Sequence, residues 1–273
     1  MTPPVALTIA GVDPAGGAGI AADLRTFAAL GVHGALAVTT LTVQDTVSVR
    51  RAVASDPALV AEQIDVVLAD LDVAAAKTGF LGSVAVAEVV ADRASGWGAL
   101  VVDPVLVAHD GRPILDAADT YRRRLLPRAT VATPNHREAA LLAGIEVTTV
   151  ADMVAAAHRI LELGPTVVVV TGGAIGTADA VDVAVDATEV RELRSARVPT
   201  RNTHGSGCTF AAATAALLAR GEDPWAAVTG AKAFVSRAVA AGAAWRLGAG
   251  RGPLDQLAGV ARPPLRRDAP PSS

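Results

Sequence analysis

Short runs of Val, Ala, Leu and Ile that are apolar at nearly every position recur along this chain, and each stops at a glycine or at a proline-marked turn. Val5 to Ala10 ends at Gly11, Ala99 to Val102 stops at Asp103-Pro104, Ala129 to Ala132 at Thr133-Pro134-Asn135, and Thr166 to Val170 at Thr171-Gly172-Gly173. A strand with one wet face alternates apolar and polar residues, whereas an unbroken run belongs to a strand covered on both faces, as in a parallel sheet. Two further strands are read at Gly34 to Val43 and at Ala74 to Thr78. Helical spacing fills the intervals at 21–30, 56–71, 83–94, 116–126 and 150–163, and two long helices follow near the end, Phe210 to Ala219 and Pro224 to about Ala244. This alternation predicts one α/β domain over residues 1–260, with three layers: a mainly parallel central sheet and helices on both faces. One pair, Ala180 to Val185 and Glu189 to Leu193, breaks the alternation and reads as a hairpin around Asp186-Ala187-Thr188. Residues 261–273, rich in Pro, Arg and Ser, are expected to be disordered.

Composition agrees with that architecture. Hydrophobic residues make up 51% of the 273 but aromatics only 3%, so the core must be built from Ala, Val and Leu. The net charge of −3 offers no global attraction for nucleic acid or an anionic membrane, and any phosphate binding has to be local. A single cysteine rules out an intramolecular disulfide. No apolar run reaches the ~18 residues of a membrane span, and the start has no basic, apolar leader pattern, so a cytoplasmic protein is expected.

The local phosphate site is sought at Asn202-Thr203-His204-Gly205-Ser206-Gly207-Cys208-Thr209, which runs straight into the alanine-dominated helix. Glycines at a helix start leave the first amide N–H groups free and close to the positive end of the helix dipole, a ready anion hole. The cysteine there is expected to have a lowered pKa; as a packing residue it would be inert. A second glycine-rich turn, Gly11 to Ile20, lacks the third glycine of a dinucleotide fingerprint but suits close approach to a flat ligand. Other candidates stand after strands, where open α/β sheets place ligand contacts. The amide of Gln44 can donate and accept at once, as a heterocycle's ring nitrogen and amino group require, or it can be a solvated turn residue. Asp103 before Pro104 suits a metal or phosphate site, or an Asx turn. Asn135 and Glu138, three apart at a helix start, suit Mg²⁺ by their oxygens and equally suit a capping box.

Together these residues resemble the hydroxymethylpyrimidine/phosphomethylpyrimidine kinases of thiamin biosynthesis, a branch of the ribokinase-like superfamily. The similarity runs in order from about residue 5 to 257. It is carried by Leu7 to Ile20 with Asp23-Leu24, Gln44, Lys77-Thr78-Gly79, Asp103-Pro104-Val105, Thr133-Pro134-Asn135 with Glu138-Ala139, and above all the stretch Asn202 to Thr209, whose cysteine stands where most of the superfamily has aspartate. The resemblance implies transfer of the γ-phosphoryl group of ATP, with Mg²⁺, to 4-amino-5-hydroxymethyl-2-methylpyrimidine and then to its monophosphate. A homodimer is expected. The resemblance assigns Gly11, Asp23, Gln44, Phe80 and Val107 to the pyrimidine. Gly205, Ser206, Gly207 and Cys208 become the catalytic anion hole, with Cys208 the candidate base. Asp103, Asn135, Thr171 and Thr203 fall to the nucleotide phosphates, and Asp103, Asn135 and Glu138 to Mg²⁺. A pyridoxal-type vitamin kinase of the same superfamily is the nearest alternative, and a pyrimidine-binding protein that has lost catalysis is another.

Three departures from the family's pattern bear on that picture. Thr171-Gly172-Gly173-Ala174 stands where Lys-Gly-Gly-His is usual, Phe80 and Leu106 stand where Met is common, and His109-Asp110 replaces Lys-Ser. Two phosphate-side cations are therefore missing. Loss of one such charge is worth ~1.5–3 kcal/mol of charged hydrogen bonding unless an arginine substitutes.

Overall fold

The computed structural model describes residues 2–107, 112–173 and 175–261. His109-Asp110, Ala174 and the tail from residue 262 lie outside the described residues. The elements in order are β1 (Val5–Val12), α1 (Gly19–Ala29), β2 (His33–Gln44), β3 (Val49–Ala54), α2 (Pro57–Asp70), β4 (Val73–Thr78), α3 (Val84–Arg93), β5 (Ala99–Val102), α4 (Ala118–Thr120), β6 (Val131–Ala132), α5 (His136–Ala143), α6 (Val150–Leu161), β7 (Val167–Thr171), β8 (Asp179–Val185), β9 (Val190–Ala196), α7 (Ser206–Ala219) and α8 (Pro224–Gly242).

The strands form one sheet in the order β3-β2-β1-β4-β5-β6-β7-β8-β9. Pairings from β2 through β7 are parallel, while β3 and the β8–β9 pair are antiparallel additions at the two ends. The pleat sends successive side chains to opposite faces. Leu7, Ile9, Val102, Val168 and Val170 pack under α2, α3, α5 and α6, and Ala6, Val101, Val131, Val167 and Val169 pack under α1, α7 and α8. Apolar residues at both parities are thus explained by two covered faces. In α7 the run Ala211, Ala212, Ala213, Ala215 and Ala216 is fully buried, because the helix is sandwiched between the sheet and its neighbours α1 and α8. Side chains larger than methyl would not leave room for that spacing.

Two local expectations differ. The segment 116–126 is not a continuous α-helix: α4 is a single turn, followed by a widened i→i+5 turn at Tyr121–Leu125 and a tight turn at Leu126–Arg128. Pro127 has no N–H to continue a helical ladder, and the irregular winding buries Tyr121, Leu125 and Leu126 together. Strand β3 was not expected at all. It follows Gln44 through a turn in which the Asp45 carboxylate accepts the amides of Val47 and Ser48 at 2.8 and 2.9 Å.

Candidate active site

Every candidate loop leaves the carboxyl end of a strand, so the sheet order sets their spacing. Gln44 ends β2 and Thr171 ends β7, five strand steps apart, about 24 Å at ~4.8 Å per step. Helix α7 crosses β4 and β5 between them. Its N-terminus therefore stands midway between a β2 side and a β7 side.

That N-terminus is built from close backbone contacts. Gly205 has φ +85° and a Cβ there would lie 2.0 Å from the Gly17 carbonyl oxygen, so the two glycine-rich turns read from the sequence touch each other. Thr209 N–H bonds Gly205 O at 2.8 Å, which leaves the amides of Gly207 and Cys208 without intrahelical partners. A Cβ on Gly207 would meet nothing within 4 Å, so the chain is open on that side of the turn. Asn202 anchors the turn by donating to the carbonyls of Gly242 and Trp245, both at 2.8 Å.

The first glycine loop is wrapped around Asp13. Its carboxylate accepts the amides of Ala15, Gly17 and Ala18 at 2.9–3.0 Å and His204 Nε2 at 2.9 Å. Burial alone would raise the Asp13 carboxyl; His204 and the loop amides outweigh it and hold it below the ordinary carboxylate range. The same His204 nitrogen lies 3.4 Å from Gln44 Nε2. His204 thus joins the end of β2, the glycine loop and the anion-hole turn. Gly11 backs onto Phe80, whose ring is 3.6 Å from the position a Cβ would take, on the same β2 side as Gln44.

Behind α7 lies a buried group of charges. Lys77 and Asp23 are fully buried, with Nζ at 3.0 and 3.2 Å from the two carboxylate oxygens, and Thr8 donates to Asp23 at 2.6 Å. Burial alone would lower the Lys77 ammonium; Asp23, with Cys208 and Asp103, outweighs it and raises the group above its ordinary value. Asp23 was expected beside the substrate; instead its carboxylate is enclosed and committed to Lys77 and Thr8, and it holds the lysine from within the core. Burial pushes Asp103 up to about 6, with Lys77 opposing and Asp23 reinforcing the shift. Burial also pushes the Cys208 thiol up to about 12, against the pull of Lys77 and a bond from the Gly19 amide and with the help of Asp23 and Asp103. The lowered thiol pKa expected from the helix N-terminus is therefore corrected: burial is the largest influence on this thiol and acts upward.

On the β7 side, Asn135 and Thr171 meet in a parallel bridge. Asn135 Oδ1 accepts from Arg137 and Glu138 at 2.9 and 3.1 Å, and Glu138 Oε2 accepts the Asn135 amide at 3.0 Å, a complete capping box. With that oxygen already twice bonded, Asn135 is not available as a direct metal ligand, which corrects its assignment to Mg²⁺. Glu138 also accepts from Leu106 at 3.3 Å, and burial followed by the Asp103 charge raises it well above the usual carboxylate range. Two buried carboxylates, one of which raises the other, fit a divalent cation held mainly by nucleotide phosphates and water. No cluster of three or more His, Cys, Asp or Glu among the described residues is arranged to hold an ion unaided, and Mg²⁺ needs only one or two carboxylates beside phosphates. The loop after Thr171 is pinned by Asp182, which accepts the Gly172 amide at 2.9 Å and is paired with Lys232 at 2.8 Å. Val107 follows Leu106 at the edge of the described chain and pairs with Pro113.

Sequence reasoning gave no role to Asp13, His204 or the Asp182–Lys232 pair. Lys77 carried a visible signal, a lone cation inside an otherwise apolar strand.

A parallel sheet with antiparallel ends and two touching glycine-rich turns at the start of α7 fit a small-molecule kinase of the ribokinase-like kind. The chain belongs to the phosphomethylpyrimidine kinase family, which matches residues 13–255. It is 46% identical over 93% of its length to the hydroxymethylpyrimidine/phosphomethylpyrimidine kinase of Synechococcus elongatus, covering 97% of that protein. Among solved structures, Bacillus subtilis pyridoxal kinase in an ADP complex superposes with TM-score 0.86 at 36% identity, covering 94% of this chain and 98% of that one. Phosphomethylpyrimidine kinase of Clostridium difficile gives TM-score 0.76 at 32% identity, covering 86% and 99%.

Proposed function

We infer that this protein is an ATP-dependent kinase that phosphorylates 4-amino-5-hydroxymethyl-2-methylpyrimidine and then its monophosphate, a step of thiamin biosynthesis. The observation that carries this reading at the level of the site is the contact between the two glycine turns, with His204 bonded to Asp13 and beside Gln44. It sets an acceptor recess directly against the anion cradle, which is the requirement of in-line transfer.

In this reading the pyrimidine lies over Gly11 between Phe80 and the Gln44 amide, and its hydroxymethyl arm points to the start of α7. The nucleotide comes from the β7 side, along Thr171 and Asn135 and toward Thr203, so that its terminal phosphorus meets the arm at Gly205 to Cys208. The amides of Gly207 and Cys208 stabilise charge on the equatorial oxygens. Ser206 sits at the first helical position and shapes the turn. Asp103 is the carboxylate closest in character to a Mg²⁺ ligand, with Glu138 behind it; the ion, carried by ATP, would supply charge neutralisation between phosphates. Cys208 is the candidate acceptor of the alcohol's proton. Burial holds its thiol protonated in the free protein, so it takes the alcohol's proton only as the thiolate, after giving its own proton to water; neutralising Asp103 favours that loss by removing one of the two carboxylates that hold its pKa up.

The pyridoxal alternative draws support from the superposition on pyridoxal kinases. A pyridine with a hydroxymethyl arm would use the same cradle, but Gln44 matches an aminopyrimidine edge better. Comparing kcat/KM for the two vitamins tests this: a preference for pyridoxal of tenfold or more would overturn the pyrimidine assignment.

The partner we assign to the outer face of the β2–β3 hairpin is a second copy of this chain. Leu41, Val43 and Val53 are exposed there, Leu41 by 59%, and β3 is the open edge of the sheet. Light scattering behind size exclusion would show a dimer; a monomer at micromolar concentration would contradict it. No helix among the described residues is long and apolar enough to cross a membrane, and a reaction between dissolved vitamin precursors and ATP suits the cytoplasm.

A further inference from the structure

With Thr171 in place of a lysine, the transfer site needs its positive charge from elsewhere, and one half-buried guanidinium beside the cradle has no acidic partner among the described residues. Arg251 donates through Nη2 to the Thr203 hydroxyl. Among the described residues it forms no ion pair with a carboxylate, unlike Lys77 and Lys232, whose charges are taken up by Asp23 and Asp182. Burial lowers its pKa and no acid nearby raises it. A partly desolvated cation without a counter-charge favours any anion that reaches it.

Its position is fixed by the backbone. Gly248 (φ +74°), Gly250 and Gly252 surround it, and Cβ atoms at the three would lie 2.3 Å from Thr46 Oγ1, 1.9 Å from Thr46 O and 2.2 Å from Asn202 Oδ1. Arg251 N–H bonds Thr46 O at 3.0 Å and Gly250 N–H bonds Thr46 Oγ1 at 3.0 Å. On the other flank, His204 N–H bonds Gly252 O at 3.1 Å. The segment is therefore clamped between the turn just beyond Gln44 and the turn that opens α7. This is the β2 side of the cradle. The nucleotide in the reading above enters from the β7 side, several strands away, and reaches this side only at Thr203, which Arg251 itself bonds.

We propose that Arg251 binds the phosphate already carried by the acceptor in the second transfer, and so separates phosphorylation of the monophosphate from phosphorylation of the alcohol. The alcohol presents no charge to it; the monophosphate does. In the second step the acceptor oxygen is itself on a phosphate, and holding the other oxygens of that group against the guanidinium aims one of them at the incoming phosphorus. Arg251 is a specificity and positioning residue for this step.

The inference rests on the pyrimidine-kinase reading, and the experiment keeps the two apart. Initial rates are measured with ATP and Mg²⁺ for the alcohol and for its monophosphate as separate acceptors, on the full chain and on Arg251→Ala and Arg251→Lys. The ratio of second-step to first-step kcat/KM is expected to fall about 10- to 100-fold in the Ala variant, the span for one lost charged hydrogen bond, and less in the Lys variant. Calorimetry with the monophosphate alone should show the same loss in Kd. If the Ala variant does not fold, Arg251→Gln and the Lys variant give the same ratio test. Equal losses on both acceptors, an increase in KM for ATP with the ratio unchanged, or no change at all would each overturn the assignment. Absence of phosphorylation of either acceptor by the unaltered chain would instead overturn the pyrimidine-kinase reading itself.

Discussion

Asp103→Asn is expected to make the free protein more stable at neutral pH while lowering its activity. The carboxylate is 5% exposed, and burial moves its pKa from 3.8 to about 6 in spite of Lys77. A folded-state value above the unfolded one means that the folded chain holds the proton more tightly. The group's favourable contribution is therefore complete below about pH 3.8 and is lost as pH rises through about 6. At pH 7.5 both states are ionised, and a displacement of about two pH units counts against the fold by ~3 kcal/mol. Asparagine has nearly the same shape and no charge to bury, so up to that amount is recovered, ~6 °C or more in Tm for a chain of this size. Calorimetric melts of both proteins at pH 4 and pH 7.5, without nucleotide, read the difference directly. The variant's advantage should be present at pH 7.5 and shrink toward zero at pH 4. Adding ATP and Mg²⁺ should reverse the order, because the carboxylate is then neutralised by the ion and the amide is not. A variant less stable than the parent at pH 7.5, or one whose advantage grows toward pH 4, would refute the view that this acid is held at the site at the expense of the fold.

Two other substitutions separate site from scaffold. Gln44→Leu removes the amide from the acceptor recess and should weaken pyrimidine binding by ~1–3 kcal/mol with ATP binding barely changed; equal losses for both ligands in calorimetry would make Gln44 structural. Cys208→Ser should lower turnover roughly 100- to 10,000-fold, the usual range for a general base, with little change in Tm, and Cys208→Asp should keep more activity than Ser; a Ser variant with parental turnover would take the thiol out of the mechanism. In the free protein, alkylation of Cys208 by iodoacetamide should keep accelerating with pH beyond 9, since burial holds its thiol near 12; a plateau below pH 8.5 would mean that Lys77 dominates.

Much of the fold was legible because a two-sided sheet leaves an unmistakable residue pattern. Val167 to Val170 are all buried, and only a strand covered on both faces tolerates that run. Strand β3 left no such trace: Val49, Arg50, Arg51, Ala52, Val53 and Ala54 are all exposed, and the strand is recruited by backbone pairing to β2 and by the Asp45 turn. The positions of the site residues at strand ends were legible for the same reason as the strands. Their partners were not. Asp23 reads as a polar residue early in a helix, and only the approach of Lys77, 54 residues away, shows that it is an internal counter-ion. Asn135 and Glu138 fit a metal site and a capping box equally well by spacing, and the backbone geometry at the start of α5 decides for the box. The Cys208 thiol was misjudged because a helix N-terminus is visible in a sequence, whereas the desolvation and the two carboxylates that oppose it come from α1 and the end of β5.

The account's central claim is that the recess at Gln44 and the cradle at Gly205 to Cys208 act together on one pyrimidine. Incubating the protein with saturating ATP, Mg²⁺ and 4-amino-5-hydroxymethyl-2-methylpyrimidine, and counting added phosphates by mass spectrometry over time, tests it most directly. The monophosphate should appear first and be converted to the diphosphate, with one ATP consumed for each phosphate gained. A pyrimidine that remains unphosphorylated under these conditions, while calorimetry shows it bound, would contradict the claim and leave a binding protein in place of a kinase.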